Sequence, residues 1–180
     1  MRKSAALLFA LVLPLVGCQS GSPRAAGTPS PALSLRCASG DNGVQEAVLG
    51  WGFCYPAAWH AIERQQKTDS PKGVDATFDI TDYQSGADLG KFGYMIISTD
   101  DRAGAPDLKT WVAANIGSGV QLQTISWGNA LEAAQETNGD GRRFALTPHQ
   151  VVVLELRSGA GNLDLETAMS ARLDTWKFIY

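Results

Sequence analysis

Polar and apolar residues alternate along much of the chain, and a period of two marks half-buried strands. In residues 74–83, Val74, Ala76, Phe78 and Ile80 fall on one side and Asp75, Thr77, Asp79 and Thr81 on the other. Residues 59–63 and 120–125 alternate in the same way. Residues 44–53 are apolar-rich around Trp51 and read as strand or extended chain, weakened by Gly50 and Gly52 and ended by Pro56. Residues 92–99 read as a strand with a more buried centre. Residues 142–146 and 151–157 read as strands on either side of Thr147, Pro148, His149 and Gln150. Residues 130–136 fit a strand or a short helix equally well.

The period changes twice. In residues 107–116, Leu108, Trp111, Val112 and Asn115 recur at helical spacing, with Asp107 placed as N-cap and Gly117 just beyond the end. Residues 163–178 predict a closing helix whose apolar face is Leu165, Ala168, Met169, Leu173 and Trp176. Turn or loop composition separates these segments at 67–73, 85–91, 138–141 and 159–161. Strands, one helix, a meander of strands and a final helix predict an α+β fold, a twisted and mostly antiparallel β-sheet with helices packed on it.

The start of the chain is of another kind. Arg2 and Lys3 precede an apolar run over residues 5–16, which is shorter than the roughly 20 residues a spanning helix needs and carries Pro14 near its end. The run ends in Leu15, Val16, Gly17 and Cys18. This layout resembles the signal peptide and lipobox of bacterial lipoproteins. The resemblance implies cleavage after Gly17, a diacylglyceryl group on the Cys18 thiol and an acylated mature N-terminus. One acyl chain holds only marginally at about 0.8 kcal/mol per buried methylene, so two or three on one cysteine amount to stable attachment. Gln19 follows in place of an aspartate, which in a two-membrane bacterium resembles the default signal for the outer membrane.

Three parts follow from this reading: a signal peptide over 1–17, an acylated tether over 18–34, and one domain over 35–180. The tether is rich in Gly, Ser, Pro and Ala and has no apolar period, so it cannot bury enough surface to offset its ordering entropy. The domain is long enough for a substantial core without a metal. The formal charge of the whole chain is −3, and loss of Arg2 and Lys3 makes the product more acidic still. That balance lacks the electrostatic footprint of a nucleic-acid or anionic-lipid binder, so membrane contact is expected through the lipid alone.

With Cys18 acylated, Cys37 and Cys54 remain. An oxidising envelope makes a disulfide between them the natural pairing, stapling the segment after the tether to the strand around Cys54. Two free buried thiols or a metal pair are the alternatives, the latter disfavoured by the lack of a nearby histidine.

Phe53, Tyr55, Pro56 and Trp59 open the domain, Asp107, Leu108, Lys109 and Trp111 open its first helix, and Thr175, Trp176, Lys177 and Phe178 close the chain. Together with the order of elements, these residues resemble the PsbP-like superfamily over residues 53–178, with an N-terminal extension over 37–52 that has no counterpart there. The resemblance implies an α/β/α sandwich around a twisted antiparallel sheet. Members include an extrinsic photosystem II subunit, a Ran-binding nuclear transport factor and DcrB-like bacterial envelope lipoproteins. What they share is protein binding, and the step from such a fold to a function is analogy.

Candidate chemistry is thin. His60 lies in a strand and His149 in a turn, no HExxH or GxSxG occurs, and Ser118 between Gly117 and Gly119 follows a helix where a nucleophile elbow would follow a strand. Asp100 with Asp101, and Asn138 with Asp140, lack the ligand spacing of a calcium loop. No Walker or dinucleotide fingerprint is present, and Arg142 with Arg143 is too short for a nucleic-acid patch. The reading is therefore no catalytic residue, no cofactor and no metal. All five tryptophans are expected in the core, Trp111 and Trp176 on helical apolar faces, and Trp51, Trp59 or Trp127 becomes a candidate contact only if exposed. The expected function is a lipid-anchored envelope protein that binds another protein as adaptor or assembly factor, with an unknown envelope partner. A small-molecule or lipid-binding module is the alternative, and an enzyme, as a hydrolase, comes third.

Overall fold

Strand β9 (Gln150–Ser158) shows why the main sheet is covered on both sides. Val151 and Val153 are buried on one face, and Val152 and Leu154 on the other. Such a near-continuous apolar run marks a strand buried on both faces. The computed structural model describes residues 34–64, 73–81, 92–158 and 164–180. Within them β3 (His60–Arg64), β4 (Gly73–Thr81), β5 (Phe92–Asp101), β6 (Leu122–Thr124), β7 (Glu132–Glu136) and β8 (Arg143–Leu146) join β9 in a seven-stranded sheet ordered β3-β4-β5-β9-β8-β7-β6. Every neighbouring pair in it is antiparallel.

One face of this sheet takes α1 (Leu108–Asn115), whose Leu108, Trp111 and Val112 pack with Ala134, Phe144, Leu146, Val151 and Val153. Asp107 is the N-cap and accepts a 2.7 Å hydrogen bond from the Thr110 N–H, as the spacing predicts. The other face takes a second, three-stranded sheet of β1 (Asp41–Glu46), β2 (Trp51–Pro56) and β10 (Lys177–Phe178), together with α2 (Leu165–Ser170). Trp51, Phe53, Trp127, Trp176 and Phe178 fill the space between the two sheets. Trp176 stacks on Phe53 and meets Trp127 edge-on, each at 5.0 Å between centroids. The Trp51 indole N–H donates to the Thr99 hydroxyl at 3.0 Å and so ties the small sheet to the large one.

The sheet-rich, mostly antiparallel architecture agrees with the sequence reading, and the helical content is smaller than that reading. The segment 163–178 is not one helix. α2 stops at Ser170, a 3-10 turn spans Leu173–Thr175, and β10 then pairs with β2. Leu165, Met169, Leu173 and Trp176 are buried as the helical spacing implies. Pairing with β2 outweighs continued helix at the end because it satisfies the backbone while Phe178 reaches the core. The segment 44–53 also divides. β1 and β2 form a hairpin, and the apolar Val48 lies in its connection, 89% exposed. Residues 130–136 resolve as strand β7. The segment read as signal peptide, Cys18, the stretch read as tether up to residue 33 and the loops expected at 85–91 and 159–161 lie outside the described residues, as does most of the turn expected at 67–73.

Cys37 and Cys54 form a disulfide with a Cα–Cα separation of 5.5 Å, as the compartment argument predicts. It fastens the segment ahead of β1 to β2. Arg172 adds a second tie, a bidentate ion pair to Asp41 with both contacts at 2.9 Å.

Candidate functional site

The chain carries no charged residue between Lys109 and Glu132. The fold brings the two ends of this stretch together. Glu132, on β7, accepts a 3.0 Å hydrogen bond from the Leu108 N–H, so its carboxylate holds the first turn of α1 beside the strand. The bond from the Thr110 N–H keeps the Asp107 carboxyl below its usual value. Two carboxylates thus satisfy the exposed donors of this helix end.

Between α1 and the β6–β7 edge of the sheet runs an open groove of about 710 Å³. Val120, Leu122, Ile125 and Ala130 are half-buried along it, Leu131 is 55% exposed, and Lys109 stands at its rim. Pairing of Gln123 with Gln135 fixes the register. The Ile125 N–H donates to Ala133 and the Thr137 N–H to Gln121, so the odd-numbered residues face β7. By the alternation of an antiparallel ladder, Leu122 and Thr124 turn their backbone groups to the open edge.

A second, polar cleft of about 720 Å³ lies between the end of β5 and the β8–β9 turn. Asp100, Asp101 and His149 line it. Arg102 crosses it, donating to the carbonyls of Ala105, Pro106 and Thr147. These bonds fix the loop, and they direct the guanidinium toward backbone oxygens of the chain. His60 lies on β3 at the far edge of the sheet, so the two histidines are not brought together. Among the described residues no group of three His, Cys, Asp or Glu side chains is placed to hold a metal ion.

Buried charge lies elsewhere. Arg143 is 2% exposed and bonds Glu166 and Ser170 on α2. Arg142 pairs with Glu136 at 2.8 Å, and that hydrogen bond pushes the Glu136 carboxyl below its ordinary value and the guanidinium above its own. Both clusters fasten strands or helices, and neither opens on a groove.

Trp51, Trp111, Trp127 and Trp176 are core residues, and Trp59 is half-buried against the same core. Core was the expectation for these tryptophans, and the groove beside α1 is lined by aliphatic and polar side chains with Trp127 at its base. The uncharged stretch after α1 is the signal that marks it. Scans of the chain against protein-family models, curated proteins and solved structures return no match.

Proposed function

We propose that this chain is a lipid-anchored protein of a bacterial envelope whose domain binds another protein without catalysis, as an adaptor or assembly factor. The observation that carries the binding half is the open groove beside α1, whose lining between Lys109 and Glu132 is without charge, with Leu131 exposed on it. Clustered exposed apolar surface rimmed by polar groups marks interaction sites. The small-molecule reading asks for an enclosed apolar pocket between sheet and helix. The space between the sheet edge and α1 is an open groove, not an enclosed pocket, and the space between the two sheets is filled by Trp51, Trp127, Trp176 and their neighbours. The anchoring half rests on Leu15, Val16, Gly17 and Cys18 behind the basic and apolar start. The PsbP-like α/β/α reading belongs to the same proposal; the antiparallel seven-stranded sheet with α1 on one face supports it, whereas the other face is covered by the small β1-β2-β10 sheet together with the short α2.

The test is crosslinking of the full chain in bacterial cells, with captured proteins identified by mass and Cys18→Ser as control. An acylated wild-type product and one dominant partner lost in the control support the proposal. An unmodified Cys18, or no captured partner, overturns it.

A further inference from the structure

The two edges of the large sheet are built differently. β3 carries His60, Glu63 and Arg64, and charge on an edge strand is a recognised guard against unwanted pairing. β6 carries Leu122, Gln123 and Thr124, with neither charge nor proline. Among the described residues no strand pairs with its outer side. A short edge without charge or proline, alongside a groove of mixed aliphatic and polar lining, is a combination that strand addition can use, in which backbone bonds give affinity and alternate side chains meet the groove.

We propose that β6 takes an extended segment of the partner protein as an added strand. The backbone groups of Leu122 and Thr124 bond it, and every second side chain falls beside Leu122 and Val120 into the groove. Charge complementarity narrows the chemistry of that segment. The groove is uncharged between Lys109 and Glu132, so the segment is apolar or hydroxylic. The Glu132 carboxylate is already engaged by the Leu108 N–H. Lys109 is exposed and takes part in no ion pair among the described residues. It faces the place where the segment presents an acidic side chain or a free C-terminal carboxylate. A second copy of this chain fits poorly, because its groove brings the same lysine and no carboxylate to meet it.

This inference rests on the protein-binding reading above, and Thr124→Pro separates the two. The Thr124 N–H points to the open edge, so proline there removes a donor for the added strand and none used by β7. A random library of twelve-residue peptides displayed on phage is selected against the full chain, and the enriched peptides are measured on wild type, Thr124→Pro and Lys109→Glu. The expected result is peptides of alternating apolar residues with an acidic group, bound about tenfold more weakly by each variant. No enriched peptide, or binding by the variants as tight as that of wild type, overturns the proposal. If Thr124→Pro melts well below wild type, Lys109→Glu decides. A cellular partner that both variants still capture sinks the strand-addition mode while the adaptor reading stands.

Discussion

Gly128 adopts φ +50°, and a Cβ added there would lie 2.2 Å from the Trp176 carbonyl oxygen. Neither the left-handed backbone nor the contact accepts a side chain, since the obstacle is backbone and not a movable side-chain tip. Gly128→Ala is expected to cost about 1–3 kcal/mol, read as a lowered denaturation midpoint with an unchanged slope. Glu136 makes a different kind of prediction. Its carboxyl sits below the ordinary value of 4.5 because Arg142 bonds the charged form. The stabilisation it gives is therefore complete above the unfolded-state value and is lost as pH falls through the lower folded value. Glu136→Gln is expected to destabilise by about 1–3 kcal/mol at neutral pH, and the gap to wild type should close in acid. Melting curves from neutral pH down through the carboxylate range check this, and a gap that persists below that range argues against the assignment.

Elements were legible wherever one period persisted. Strands are found at Gly73–Thr81 and Leu122–Thr124, within the segments read as alternating, and the helical spacing of Leu108, Trp111 and Val112 is borne out. The two misreadings have a common origin: backbone partners far away in the chain. Val48 and Leu49 lengthened an apolar run that the fold uses as a hairpin connection. Leu173 and Trp176 keep helical spacing in a segment whose backbone has already left the helix. The end of that segment is held from outside by Asn129, whose side-chain amide accepts from the Phe178 N–H at 2.8 Å and donates to its carbonyl at 3.0 Å. In this way it acts as a further strand beside β10. Asn129→Ala removes both bonds, for an expected loss of about 2 kcal/mol. Amide hydrogen exchange should show faster exchange at Phe178 while the β5–β9 ladder keeps its protection.

At the scale of the molecule, one sheet serves two cores, and the disulfide ties in the part of the chain that the large sheet does not hold. Reduction opens a loop spanning 17 positions and should lower stability by about 3 kcal/mol in the chain-entropy picture. A melting temperature that stays the same after full reduction would contradict this. The cysteine pair could be read from compartment and spacing, because few alternatives compete for two thiols. The groove could not. Its walls come from a helix start, an edge strand and a loop, and only the three-dimensional register puts Lys109, Leu122 and Leu131 around one space. The absence of charge after Lys109 was visible in the sequence, and it acquires meaning once β6 is known to be an edge.

Strand β2 lies between β1, next to it in sequence, and β10, from the last turn of the chain. This arrangement sets an order of events during synthesis. A chain that emerges from its N-terminus displays Trp51 and Phe53 early, yet Trp176 and Phe178, which cover them, arrive long after. Contacts of such long sequence separation form slowly. The core between the sheets therefore stays open until the β10 segment is made, and a product stalled or cut short of Trp176 leaves an aromatic surface bare to chaperones, proteases and its own kind.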